Sequence, residues 1–264
     1  MLHRYTYIIY IIMCLATVGM MLMGCDYIAE DDRLIYEKPE PAKRAVLLED
    51  FTGQRCPNCP EATEIIEQLQ ETYGDAVVAV AIHGGQLSVA STPKVVGLKT
   101  DTGEDYNKHW ALTQWPMGMI DRHGPYKDTE WVAAVKAELA KPAPLRLEGS
   151  AVLADNAIAI TVKAEGTDGI VMGKLQVWLL EDSITALQLM PNGKVNQQYV
   201  HNHVFRTAVN GTWGEDFSVE EGKSEQRTMS LPLQPAWKKE NLSIVAFVYN
   251  DSGVQQATKF IIED

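Results

Sequence analysis

The sequence predicts an α/β domain followed by an all-β sandwich domain, carried behind an export signal. Three observations predict this. An almost unbroken apolar run from Tyr5 to Met23 ends at Gly24-Cys25. Two cysteines, Cys56 and Cys59, stand between an apolar strand-like run and an amphipathic helical pattern. Beyond Leu145, short strand-like runs follow one another with turn residues between several of them.

The apolar run begins after His3 and Arg4, and no acidic residue occurs before Asp26. That is the layout of a signal peptide, expected over residues 1–24. Leu22-Met23-Gly24-Cys25 is similar to a lipobox, in which a small residue precedes a cysteine that is diacylated and becomes the new N-terminus. An uncleaved transmembrane helix is the alternative, since the run is long enough to span a bilayer. The abrupt change to polar sequence after Cys25 favours the lipobox, and acyl chains on Cys25 then make the membrane a partner. Residues 25–43 carry Glu30, Asp31, Asp32, Pro39 and Pro41 without periodicity, and read as a flexible acidic tether. The net charge is −12, and no basic stripe offsets it. Nucleic acid is therefore not an expected partner.

Arg44–Phe51 is a short apolar run ending in a carboxylate and reads as a buried strand. Thr52–Arg55 reads as a turn. From Cys56 the pattern becomes helical: Ala62, Ile65, Ile66, Leu69 and Tyr73 form one apolar face, and Gly74 stops it. Pro57 and Pro60 fall in the first turn, where a missing N–H costs little. Val77–Ile82 is a second buried strand, so the three elements form a βαβ unit with parallel strands. His83–Gln114 is less regular, with a helix expected over 104–112. Trp115–Arg122 is an X-Pro turn feeding a short strand, and a helix runs from Asp128 to Pro142. Seven strand-like runs follow: 151–153, 158–162, 175–180, 195–205, 228–233, 242–249 and 258–262. They predict an antiparallel, Ig-like sandwich over 144–264.

Of four cysteines, Cys14 leaves with the signal and Cys25 is consumed by lipid. Cys56 and Cys59 remain, and an exported protein lives where disulfides persist. They can exchange with a partner, form a static disulfide on a scaffold reused for binding, or supply half of a tetrahedral metal site. The positive end of a helix stabilises a thiolate on Cys56, Arg55 adds to it, and Cys59 can resolve a mixed disulfide. Asp50, near the end of the preceding strand, is a candidate proton relay to Cys59, with a solvated carboxylate as the plain alternative. Exchange requires both sulfurs to lie open to an incoming chain. Outside this group, His83 sits at the sheet end, and His201 and His203 would share one face of a strand. For that pair the readings are a metal site or ordinary hydrogen-bonded side chains. No cofactor and no metal are expected.

Cys56, Cys59, Asp50 and Pro116, in this order and context, resemble the thioredoxin superfamily. The resemblance implies a thioredoxin-like domain over 44–143 and a cis-proline at Pro116 that docks an extended substrate. Arg55 where a tryptophan is usual, Pro57-Asn58 between the cysteines, and Pro60 after them depart from that pattern, so the redox potential does not transfer. The longer segments Leu47–Pro60, Trp115–Arg122 and Tyr199–Arg206 resemble the outer membrane protein 28 family of Gram-negative lipoproteins. That resemblance implies a thioredoxin-like domain plus a β domain at the outer membrane, with no known reaction. The expected function is thiol–disulfide exchange on envelope protein clients through Cys56, Cys59, Asp50 and Pro116. The rival is a non-catalytic binding or structural lipoprotein.

Overall fold

The computed structural model describes residues 37–263, so the signal peptide and Cys25 lie outside the described residues. Among the described residues no helix is long and apolar enough to cross a membrane. Strand β1 (Val46–Thr52), helix α1 (Cys59–Tyr73) and strand β2 (Val77–His83) form the expected βαβ unit. The two strands run parallel, in register from Val46↔Val77 to Thr52↔His83. Helix α2 (Asp101–His109) is capped by Thr100, whose side chain accepts from the Gly103 N–H. Strand β3 (Met117–Ile120) pairs antiparallel with β1 and hands on to β4 (His123–Tyr126) and helix α3 (Trp131–Leu139).

Helix α1 begins at Cys59, not at Cys56 as the pattern suggests. Pro60 has no N–H to give to a carbonyl four residues earlier, so it must stand at the very start of the helix. Cys56 is thereby left in the preceding turn, where its N–H donates to the Gly53 carbonyl at 2.9 Å.

The second half supplies β5 (Leu145–Ala154), β6 (Ala157–Gly166), β7 (Ile170–Glu181), β8 (Ile184–Leu189), β9 (Val195–His201), β10 (Val204–Ala208), β11 (Glu215–Glu220), β12 (Ser224–Pro232), β13 (Leu242–Asn250) and β14 (Gly253–Glu263). Asp155 and Asn156 join β5 to β6 with φ of 48° and 64°, the left-handed pair that a tight hairpin needs. The run 195–205 is two strands, because Asn202-His203 breaks it and His203 takes φ 57°.

Pairing joins nearly all of these strands, among the described residues, into one mixed sheet ordered β12-β6-β5-β14-β13-β7-β10-β2-β1-β3-β4, with β11 also on β7. The architecture is mixed α/β with one large sheet and a separate β8–β9 hairpin. The second half is not set apart as an Ig-like sandwich: β10 pairs with β7 on one side and meets β2 at Val204↔Ala81 on the other.

Alternation within strands explains three apolar layers. Val46, Leu48, Val77 and Ala79 face α1 and α3, packing on Ala62, Ile66, Trp131 and Val135. Leu47, Phe51, Val78 and Val80 face the other way, in a layer with Tyr106 of α2, Trp178 and Leu180 of β7, and Val245 and Phe247 of β13. The opposite faces of β7 and β13 (Leu175, Val177, Leu179; Ile244, Ala246, Val248) pack against the inner faces of β5 and β6. Trp178 is fully buried at the centre of the middle layer. Its ring meets Tyr106, Phe205 and Phe247 within 5.4 Å, and its indole N–H donates to the Tyr106 hydroxyl.

Trp178→Ala removes the residue that touches both halves of that layer. It should cost about 3–5 kcal/mol, read as a lower urea midpoint with the slope unchanged. A cost near zero would show that the middle layer does not hold the fold together.

Candidate functional site

Cys56 and Cys59 form a disulfide where the end of β1 turns into α1. Both residues are buried, at 0% and 2% exposure, although Arg55 and Asn58 beside them are exposed. The β8–β9 hairpin, which shares no strand pairing with the main sheet, covers them. Its Leu189 N–H donates to the Gln54 carbonyl at 2.8 Å. Its Gln188 Nε2 donates to the Cys56 carbonyl at 2.8 Å. Gln54 returns the contact, donating to Leu187 O at 3.3 Å while its Oε1 accepts from the Leu98 N–H. The expectation of two sulfurs open to an incoming chain is therefore corrected: the site is closed.

Beneath the hairpin lies a space of about 20 Å³, lined by Asp50, Cys59, Thr63, His83, Gln188 and His201 among others. Asp50 falls on the α1 side of β1, the same side as Leu48, because alternate residues share a face. It is buried, and its Oδ1 has no hydrogen-bond partner among the described residues. Burial pushes its carboxyl up to about 8, and the charge of Asp128 adds to the effect. His83 ends β2 directly across from Thr52. Neither ring nitrogen makes a well-formed hydrogen bond. Burial lowers His83 to about 3; His201 and Arg206 push the same way, and a loose contact with Ala81 offsets them only in part. The two imidazoles meet edge-on at 5.7 Å, and burial lowers His201 to about 4.

The structure thus brings Asp50, Cys59 and His83 to one place and adds His201. Pro116 follows a cis bond from Trp115. Because Met117 pairs with Phe51, Pro116 comes just before the ladder begins, at the Thr52 end of β1, but it does not line the small space. His201 and His203 do not share a face. His203 turns to Asp182, 3.2 Å away, and Arg206 finds its carboxylate partner in Glu181 at 3.4 Å. Among the described residues no three metal-ligating side chains gather. Sequence reasoning missed Gln188 and the strand that carries it. The signal was there: Ile184, Ala186 and Gln188 alternate with more exposed residues, and a polar residue on a buried face needs a partner.

The family model described as outer membrane protein Omp28 matches residues 103–264, more than half of the chain. The chain belongs to the Omp28 family. Membership carries an outer-membrane location, and the matched residues include the β8–β9 cover but not the cysteine pair. Among solved structures, HBP35 of Porphyromonas gingivalis is similar with a TM-score of 0.66 at 14% identity, over 84% of this chain and 77% of that one. A protein from Agrobacterium tumefaciens is similar with a TM-score of 0.51 at 17% identity, over 84% and 96%. These two speak for the fold alone. A domain of the outer membrane lipoprotein Omp28 from P. gingivalis is 30% identical over 46% of this chain and 89% of that one, with a TM-score of 0.35. No curated protein matches the chain in sequence.

The raised Asp50 carboxyl makes stability depend on pH in this Omp28-family chain. Its folded pKa of about 8 lies above the unfolded value of 3.8, so the fold binds the extra proton between them and loses stability as pH rises through that window. Asp50→Asn should therefore stabilise the protein by on the order of 2 kcal/mol at alkaline pH and leave it unchanged below the unfolded pKa. Thermal unfolding at the two pH values checks this; equal shifts at both would rule out a buried neutral Asp50.

Proposed function

We propose that this Omp28-family chain is a lipid-anchored outer membrane lipoprotein that works by binding or scaffolding in the cell envelope. Its thioredoxin-like part (44–143) and β part (144–264) form the body, and Cys56–Cys59 is a covered cross-link. The observation that carries this reading is the burial of both cysteines under the hairpin. A thiolate must reach a disulfide sulfur to exchange with it, and a closed hairpin denies that access. The lipobox-like segment ending in Cys25, with membership in an outer-membrane family, supports anchoring by acyl chains.

The reading predicts that the Cys56→Ser, Cys59→Ser double variant keeps envelope partners and growth phenotype, measured by crosslinking and by culture. Loss of either would sink it. It also predicts that Cys25→Ser moves the protein out of the membrane fraction.

A second reading, thiol–disulfide exchange on envelope proteins, has its own support. A plain cross-link gains nothing from Asp50 and His83, whose unmatched polar atoms lie beside Cys59 and each cost about 1–3 kcal/mol. Under this reading the reduced pair would act on a client disulfide. The Cys56 thiolate would attack one client sulfur and release the other as a thiol. Cys59 would give its proton to the ionised form of Asp50 and resolve the mixed disulfide, leaving Cys56–Cys59 oxidised and the client reduced. Pro116 would dock the client chain. The hairpin would first have to lift. Leu189→Pro deletes the N–H that ties it to Gln54, a loss of roughly 1 kcal/mol, and should speed reduction by dithiothreitol about fivefold. Thiol labelling over time reads the rate, and an unchanged rate would show that the hairpin does not control access.

A further inference from the structure

Away from the cysteines, a groove of about 710 Å³ opens between the end of α2, the β3–β4 turn, the start of β7 and the β13–β14 turn. That is the size of a small-molecule site. Its walls are the half-buried rings of Trp110, Trp213 and Tyr249. His109 lies between both tryptophans, edge-on to Trp110 and tilted against Trp213, with ring centroids 4.6 and 4.4 Å away.

One nearly buried side chain in the lining is a cation. Arg122 has 5% of its side chain exposed, and its guanidinium stands 3.8 Å from the Tyr249 ring centroid and 4.9 Å from that of Phe247. Among the described residues its charge partner is the fully buried Glu49, whose Oε1 lies 3.8 Å from Nε, within ion-pair reach but too far for a hydrogen bond. Nε and Nη2 are buried with no acceptor among the described residues, and the Trp110 indole N–H is in the same condition. A buried guanidinium with unmatched donors is costly unless an anion completes it. The turn that delivers it is itself unusual. Asp121 and Arg122 take φ of 50° and 64°, the pair of conformations for which a tight hairpin normally uses Asn-Gly. Asp121 is accounted for, since it pairs with Arg44 and accepts from the Leu47 N–H. Arg122 is held by ring faces and by the charge of Glu49, with no hydrogen bond to its Nε or Nη2.

We propose that this groove binds a small monocarboxylate with an aromatic or aliphatic body, its carboxylate meeting Arg122 and the Trp110 N–H and its body lying between Trp213 and Tyr249. The rim sets the charge limit. Lys174 is already paired with Asp216 at 2.9 Å, and Asp251 adds a second acid, so polyanions are repelled. The site gives the proposed binding role a ligand class. It uses neither cysteine, so it stands or falls apart from the double-serine test.

Isothermal titration of the full chain in detergent tests it, with 3-phenylpropionate and its neutral amide as probes. The acid should bind about tenfold more tightly than the amide, a preference that one charge-assisted contact supplies. Trp213→Ala should weaken both probes, and Arg122→Met should erase the preference. Should Arg122→Met fail to fold, Trp110→Phe keeps the ring, removes the donor and should narrow the acid–amide gap. Absence of acid binding, equal affinity for acid and amide, or acid binding unchanged in Trp213→Ala would each overturn the proposal.

Discussion

Strands β7 and β13 are buried on both faces, and two of the three apolar layers are built on those faces. One side closes the β5–β6 layer; the other joins Tyr106, Phe205 and the outward residues of β1 and β2. Strand pairing alone would join the halves weakly, since β10 meets β2 at a single register position. A backbone hydrogen bond nets about 1 kcal/mol, whereas each buried aromatic of the Trp178 group contributes about 1.5–3 kcal/mol. The two halves are held by packing, and the ladder follows it.

Burial also governs the cysteine site, and it does so with opposing signs. The hairpin that hides the sulfurs removes water from Asp50, His83 and His201 together. The acid is held neutral toward alkaline pH, and the imidazoles are held neutral toward acid pH. Asp50 weakens the fold as pH rises; the histidines weaken it as pH falls below their ordinary range. The cover itself is modestly anchored. Ile184, Ala186 and Gln188 face inward, while most of β9 is exposed. Segments with few buried contacts open at lower cost than the body they rest on. The cysteine site is thus closed by an element whose opening does not require the sheet to unfold.

Much of the first half was legible in the sequence. The βαβ unit and the stop at Gly74 follow from local rules about periodicity and glycine, whereas the cis bond at Pro116 was implied by the thioredoxin resemblance. The Omp28 resemblance was legible too, from segments such as Tyr199–Arg206. The weaker reading was in the second half. Strand β11 escaped notice because its apolar residues are few, β8 because a short apolar run does not by itself distinguish strand from helix, and the run 195–205 hid a break that His203 makes by turning left-handed.

What the sequence by itself determined is local: two cysteines at a strand–helix junction, which residues alternate, and where chains must turn. What only the tertiary structure decided is which faces meet. Mostly apolar runs at 175–180 and 242–248, interrupted by Gln176 and Ser243, say that both faces are buried but cannot name the two layers that bury them. Likewise Cys56 sits in a turn and Cys59 at the start of α1, a junction that an isolated βαβ unit would leave open. Whether a hairpin from residues 184–201 descends onto them depends on contacts more than a hundred residues apart, such as Gln188 to Cys56. Sequence patterns report a residue's own preference for water or for a strand; they do not report which distant segment satisfies it.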